Sequence, residues 1–310
     1  MPLALLSFVL LTACQSVDLG EAASLAKAGQ QTSKEMSGFY SSTRESLPLV
    51  LEIEVLRSAL DSGVSPPSPA MEASISKIKT SLRLRQQMAG DLAELYDALY
   101  ELSATDYPGN FKVASEGLLG SIGALAAAAG AANPIGDAQA AFINQQFGRL
   151  VRAKQKQKVK AANEIVLQQL FAVQQVLAED RRVTTSLRRA TARQLEQGGI
   201  SLWRAGTLSA KPLLARYANV TGLELTGDTK DFTSKNEKLR EAVPALIRYR
   251  FRSIDAAEDA RYDAMEETVA GLIKRHNELR EDRPINLEWL LGQVAKLQAL
   301  KEELQALRAG

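Results

Sequence analysis

The chain has 310 residues, with 38 Lys and Arg set against 36 Asp and Glu, a formal charge of +2, one His and one Cys. That near balance excludes a dedicated nucleic-acid binder, which needs a concentrated basic excess. A single Cys leaves no disulfide within the chain, and a single His without a Glu-x-x-His pair excludes the standard di-iron bundle. Aromatic residues are 5%, and Ala, Leu, Glu, Gln, Lys and Arg dominate, a composition of long helices. The fold class expected is therefore all-α, an elongated antiparallel bundle.

In chain order, Pro2 to Ala13 is an uncharged run of Leu, Val, Phe and Ala that closes on small residues before Cys14. A short apolar N-terminal run of this kind has the pattern of an export signal and is too short to span a bilayer. Leu11-Thr12-Ala13-Cys14 resembles the lipobox of bacterial lipoproteins. The resemblance implies cleavage before Cys14, acylation of Cys14, and anchorage to the lipid bilayer of a bacterial cell envelope. Gln15 stands where an Asp would signal inner-membrane retention, so the same resemblance favours the outer membrane, facing the periplasm or the cell surface. Such signals open on basic residues, and Met1 to Ala13 has none; either the start lies upstream of Met1 or the signal is weak. The organisation expected is a signal peptide over 1–13, a lipidated tether over 14–20 and one helical domain over 21–310.

Asp18 to Ser62 has helical patterning weakened by Gly29 and Gly38 and divided by Pro48, which removes a backbone donor. Three prolines within Pro66 to Pro69 break the chain. Met71 to Ser103 carries Ile75, Ile78, Leu82, Met88, Leu92 and Leu95 at bundle spacing, interrupted once by Arg85. Asp106-Tyr107-Pro108-Gly109-Asn110 is a turn.

Gly117 to Gly136 contains no charge. Small residues such as Gly120 and Ala124 at helical spacing let helices approach closely, and two readings stand side by side. The segment is a buried hairpin tip, or it enters a membrane through Leu118, Leu119, Ile122 and Leu125. In the second case the layout over Met71 to Leu208 is similar to that of the α-helical pore-forming toxins of the cytolysin A and haemolysin BL type, a likeness of architecture that no sequence motif carries.

Asp137 to about Leu208 runs without a proline. As one helix it would reach about 100 Å, with Gly148 and Gly198-Gly199 as the places to bend. Lys211-Pro212 opens a short helix, Gly222 to Asp231 is a polar loop, Phe232 to Glu281 is a long helix containing Pro244, and Ile285 to Leu307 closes the bundle.

Three sets of residues carry potential chemistry. His276 falls on the apolar stripe of its helix and reads as a packed histidine rather than a metal ligand or general base. Asp255, Asp259, Asp263 and Glu267, with Glu258 and Glu266 beside them, put a row of carboxylates on one helix face. Pairing with a basic helix or solvation is expected there ahead of a divalent cation, so no metal or cofactor is expected. Arg149, Arg152, Lys154, Lys156, Lys158 and Lys160 are a basic run without an intervening acid, and Arg181, Arg182, Arg188, Arg189 and Arg193 follow. They face the acidic helix, lie on anionic headgroups or lipopolysaccharide, or are solvated. Without interleaved aromatics they do not suit nucleic acid. The function expected is a non-enzymatic scaffold or interaction lipoprotein with an envelope protein, or a second copy of itself, as partner; the alternative is the pore-forming or membrane-remodelling reading.

Overall fold

A computed structural model describes residues 18–45 and 69–309, together with positions 48, 52 and 55. The described residues form eight α-helices, one 3-10 turn and no strand. The helices are α1 (Leu19–Glu45), α2 (Pro69–Thr105), α3 (Phe111–Ala128), α4 (Asp137–Arg152), α5 (Gln155–Arg204), α6 (Lys211–Thr221), α7 (Glu237–Arg280) and α8 (Leu287–Ala309), with the 3-10 turn at Thr229–Phe232. Most of the segment from Pro48 to Ser68, with its expected breaks, lies outside the described residues, as does Cys14 with the signal and most of the tether.

Helices joined by short turns, α2 with α3, α4 with α5 and α7 with α8, pack as antiparallel neighbours. α1 lies on α2, α2 on α3, α4 on α5, α5 on α7 and α7 on α8, and α8 returns against α1. One large core runs through all of these. A second, small cluster of Trp203, Ala210 and Val243, flanked by Leu213, Leu214, Leu239 and Ile247, closes the far end of α5 and α7 around α6. α5 has 50 residues and extends about 75 Å at 1.5 Å per residue.

The expectation of one rod from Asp137 to Leu208 is corrected. The chain leaves the helix at Ala153 and Lys154, both extended, and folds back so that α4 lies along α5. Neither residue is a helix breaker. A continuous helix would stack Arg152 on Lys156 and Lys154 on Lys158, and like charges four apart each cost a few tenths of a kcal/mol. Folding back also buries Ile143 and Leu150 of α4 in the common core, which a straight rod would leave in water. Gly198 and Gly199, in contrast, do not stop α5, which ends at Arg204 before Gly206 takes a φ of +75°.

Pro244 lies inside α7 and cannot bond the carbonyl of Arg240 four residues back. The indole Nε1–H of Trp203 on α5 donates to that carbonyl at 3.4 Å, so the small cluster satisfies the group the proline frees. Gly29, read as a weak point of α1, is a close approach: a Cβ there would overlap the ring of Tyr96 on α2. Arg85, the interruption of the α2 stripe, is fully buried; its Nη1 donates to the Tyr262 hydroxyl at 2.8 Å and its guanidinium lies 5.7 Å from the Tyr40 ring centre.

Gly29→Val is expected to destabilise the fold by about 1–3 kcal/mol through overpacking. Gly120→Ala, where a Cβ meets nothing within 4 Å, is expected to stabilise by about 0.5–1 kcal/mol. Urea unfolding midpoints of the two variants moving in the same direction would contradict this assignment.

Candidate functional site

His276 lies in the core between α2, α5 and α7 and is fully buried. The Asn163 amide donates to the His276 carbonyl at 2.9 Å, so its Oδ1 faces the ring as an acceptor, 2.6 Å from Nδ1. Nδ1 therefore carries the proton, and Nε2 accepts the Tyr96 hydroxyl at 3.0 Å. Burial pushes the imidazole down to about 3 and pushes the Tyr96 phenol up. Both ring nitrogens are engaged by neutral groups, and the site is a packed joint between three helices.

The carboxylate row of α7 faces cations throughout. Arg188 of α5 reaches Glu258 at 2.6 Å, Asp255 at 3.3 Å, and Asp259; Arg189 reaches Asp259 at 2.9 Å and Asp255 at 3.5 Å. Arg181 bonds Asp263 at 2.5 Å and Glu266 at 2.7 Å, while Glu267 turns to Lys296 of α8 at 2.8 Å. Burial alone would lower the pKa of Arg188, but Glu258, Asp259 and Asp255 outweigh it and raise the guanidinium above its ordinary value. Further along, Arg182 pairs with Glu179 on its own helix, and Arg193 lines a shallow groove with Glu196 and Asp255. Among the described residues no cluster of three or more His, Cys, Asp or Glu is placed to hold a metal ion.

The uncharged segment divides between helix and loop. Leu118, Ile122 and Leu125 of α3 are buried in the core, and Leu119 is half-buried against it. Two polar anchors fix α3: the Gln169 amide donates to the Ser115 carbonyl at 3.0 Å and hydroxyl at 2.6 Å, and the Ser121 hydroxyl donates to Asp91. Its outer face after Glu116 is glycine and alanine, continuing into a groove of about 630 Å³ between the Ala129–Pro134 loop and α5 near Gln175 and Arg182. By length and composition α3 is apolar enough to cross a membrane, with 44% of it buried in the bundle.

The basic run of Arg149 to Lys160 is not the set that meets the acidic helix. It wraps the α4–α5 corner. Lys158 pairs with Asp106 and Lys160 with Asp282, each at 3.0 Å. Arg149 bonds the Gln146 side chain at 3.3 Å. Arg149, Arg152 and Lys154 are exposed and have no carboxylate partner among the described residues. Arg149 and Arg152 border a groove of about 740 Å³ shared with Gln157, Lys160 and Glu164. Apolar residues that the charge pattern did not single out stand at the same end: Val151 is 80% exposed, Val113 70% and Tyr107 59%. Their signal in the sequence is slight, because exposure of a lone Val or Tyr depends on how the helices are stacked.

With this geometry in place, comparison with family models, curated proteins and solved structures finds no match.

Two outcomes follow from these joints. The unfolded chain protonates His276 near 6.5 while the fold holds it neutral down to about 3, so the unfolded state binds more protons between those values. Stability from this residue is present above about pH 6.5 and is lost as pH falls toward 3. The melting temperature is expected to fall further between pH 7.5 and 4.5 in the unsubstituted chain than in His276→Gln; equal falls would refute the buried neutral state. Arg188→Ala, which removes the guanidinium from Glu258, whose side chain is 8% exposed, and from Asp255 and Asp259, is expected to cost about 1.5–3 kcal/mol in urea titration, whereas Arg182→Ala, exposed on its own helix, should cost under about 1 kcal/mol.

Proposed function

We propose that the protein is a lipid-anchored, non-enzymatic scaffold of the bacterial cell envelope. Acylated Cys14 holds a long helical bundle to a membrane, the outer membrane where there is one, and the bundle presents its faces to an envelope partner. The observation that supports this reading is how the chain's reactive side chains are distributed. The one thiol stands in a lipobox-like sequence, while the one imidazole and the whole carboxylate row are bonded to groups of the same bundle. Several acyl chains on one Cys give firm attachment, since each buried CH₂ contributes about 0.8 kcal/mol.

The pore-forming alternative has one observation in its favour, the apolar length of α3. Its cost is high. Leu118, Ile122 and Leu125 would leave a close-packed core, opening it on α2 and α5, and the buried Gln169–Ser115 bonds would break. The scaffold reading needs no such rearrangement.

Expression in a bacterial host with an alkynyl fatty acid is expected to label the protein and bring it into the detergent phase on cloud-point separation. Cys14→Ser should lose both properties, and since Cys14 is the only cysteine no other thiol can carry the label. A full-length chain that stays unlabelled and water-soluble in that host would overturn the proposal.

A further inference from the structure

The bundle has a near end and a far end, and the chain's tether leaves from the near one. Gln30 bonds Asp97 at 2.6 Å and Ser37 bonds the Gln86 carbonyl, so α1 and α2 run antiparallel with Leu19 beside the last turn of α2. The N-terminus of α5 is tied to that same turn: Gln155 donates to the Leu102 and Ser103 carbonyls at 3.3 and 3.1 Å, and Lys158 pairs with Asp106. Asp18 and the α4–α5 corner therefore share one end of the molecule. Cys14 lies four residues before Asp18, a span of at most about 14 Å when fully extended.

We propose that this corner is a membrane-docking face, seated on anionic phospholipid headgroups beside the anchor and holding the bundle at a fixed attitude to the bilayer. The proposal rests on the acyl-anchor reading above. Charge selects the partner. Several acids of this end are already engaged: Asp106 and Asp282 hold Lys158 and Lys160, Glu281 pairs with Arg283 at 2.7 Å, and Asp18 accepts the Gly20 and Glu21 amides. The outer cations Arg149, Arg152 and Lys154 are left turned to solvent. Lys154 caps α5 without a side-chain bond, and no acid stands in the first turn of that helix. Lys154 at the positive end of the α5 dipole raises the free energy of the fold, and an anionic surface reverses the sign, whereas Arg149 and Arg152 stand in the last turn of α4, where cations are favourable. Each basic residue held at such a surface strengthens attachment by roughly fivefold.

The apolar side chains fit the same partner. Val151 lies between the corner arginines, and Tyr107 and Val113 flank the turn that Lys158 grips. Val fits shallow insertion among acyl chains, and Tyr is a side chain of the membrane–water boundary. A soluble acidic protein would satisfy the cations but gives no reason for the tether to leave from this end.

The test uses the full chain purified from the envelope and reconstituted in vesicles, with an environment-sensitive fluorophore on Val151→Cys and, as the far-end control, on Leu223→Cys. In vesicles containing phosphatidylglycerol, the probe at 151 is expected to shift to the blue and to be quenched by brominated lipid, and the probe at 223 to read as aqueous. Arg149→Glu/Arg152→Glu/Lys154→Glu should abolish the shift at 151, as should 0.5 M salt or pure phosphatidylcholine. An aqueous reading at 151 in every vesicle, on protein shown by mass spectrometry to be acylated, overturns the docking face and leaves the anchor standing. An equal blue shift in phosphatidylcholine also overturns it. A salt-sensitive shift at 151 that persists in Cys14→Ser, which cannot be acylated and offers the fluorophore no second thiol, upholds the face independently of the anchor.

Discussion

The register between α5 and α7 is the constraint on which the rest of the molecule depends. The two longest helices run antiparallel from the Lys160–Asp282 pair at the near end, through Asn163–His276, Arg181–Asp263 and Arg188–Glu258, to Trp203 on the Arg240 carbonyl at the far end. A slide of one helical turn, 5.4 Å, would break all of these at once. Apolar contacts alone would not forbid it, because leucine and alanine stripes tolerate a one-turn shift at modest cost. Asn163 and His276 do forbid it. Both are buried. Val159 and Leu167 stand one turn either side of Asn163, and Leu272 and Arg280 either side of His276. A slide therefore leaves their polar groups without counterparts, at about 1–3 kcal/mol for each. The polar groups thus act less as a source of net stability than as the device that selects one alignment from several apolar ones.

Much of this was legible in the sequence, because it depends on spacing along single helices. Carboxylates at 255, 259 and 263 and arginines at 181, 188 and 189 each mark one face of a helix, and opposite faces of that kind are expected to meet. The solitary His on an apolar stripe pointed to a packed side chain. What sequence could not supply was anything decided between helices. Gly29 reads as a helix weakness until Tyr96 is placed against it. Arg85 reads as a fault in a seam until Tyr262 and Tyr40 receive it. The reversal at Ala153 carries neither glycine nor proline, and its cause is distributed over like-charge repulsion and the gain from burying Ile143 and Leu150. The assignment of the first basic run also needed that reversal. Six cations adjacent in sequence wrap a corner, and it is the later arginines that meet the acidic face.

These two basic sets show how one kind of side chain serves two purposes according to its surroundings. Arg188 is shielded by the helices it joins, so its attraction to carboxylates is little screened, and it fixes geometry. Arg149, Arg152 and Lys154 project from a corner into water, where ion pairs contribute little to stability. Arg149 and Arg152 complement the negative end of α4, but a fold that needed only internal strength would gain nothing from Lys154 at the positive end of its longest helix. The position of all three makes sense when the field they create is directed outward, toward a surface of opposite sign lying a short tether away from the first turn of α1. The same internal register that locks α5 against α7 then has a consequence outside the molecule: since α5 cannot slide, the attitude of its N-terminal corner determines the attitude of the whole bundle, and the far cluster around Trp203 stands at the distance from that corner that α5 sets by its length.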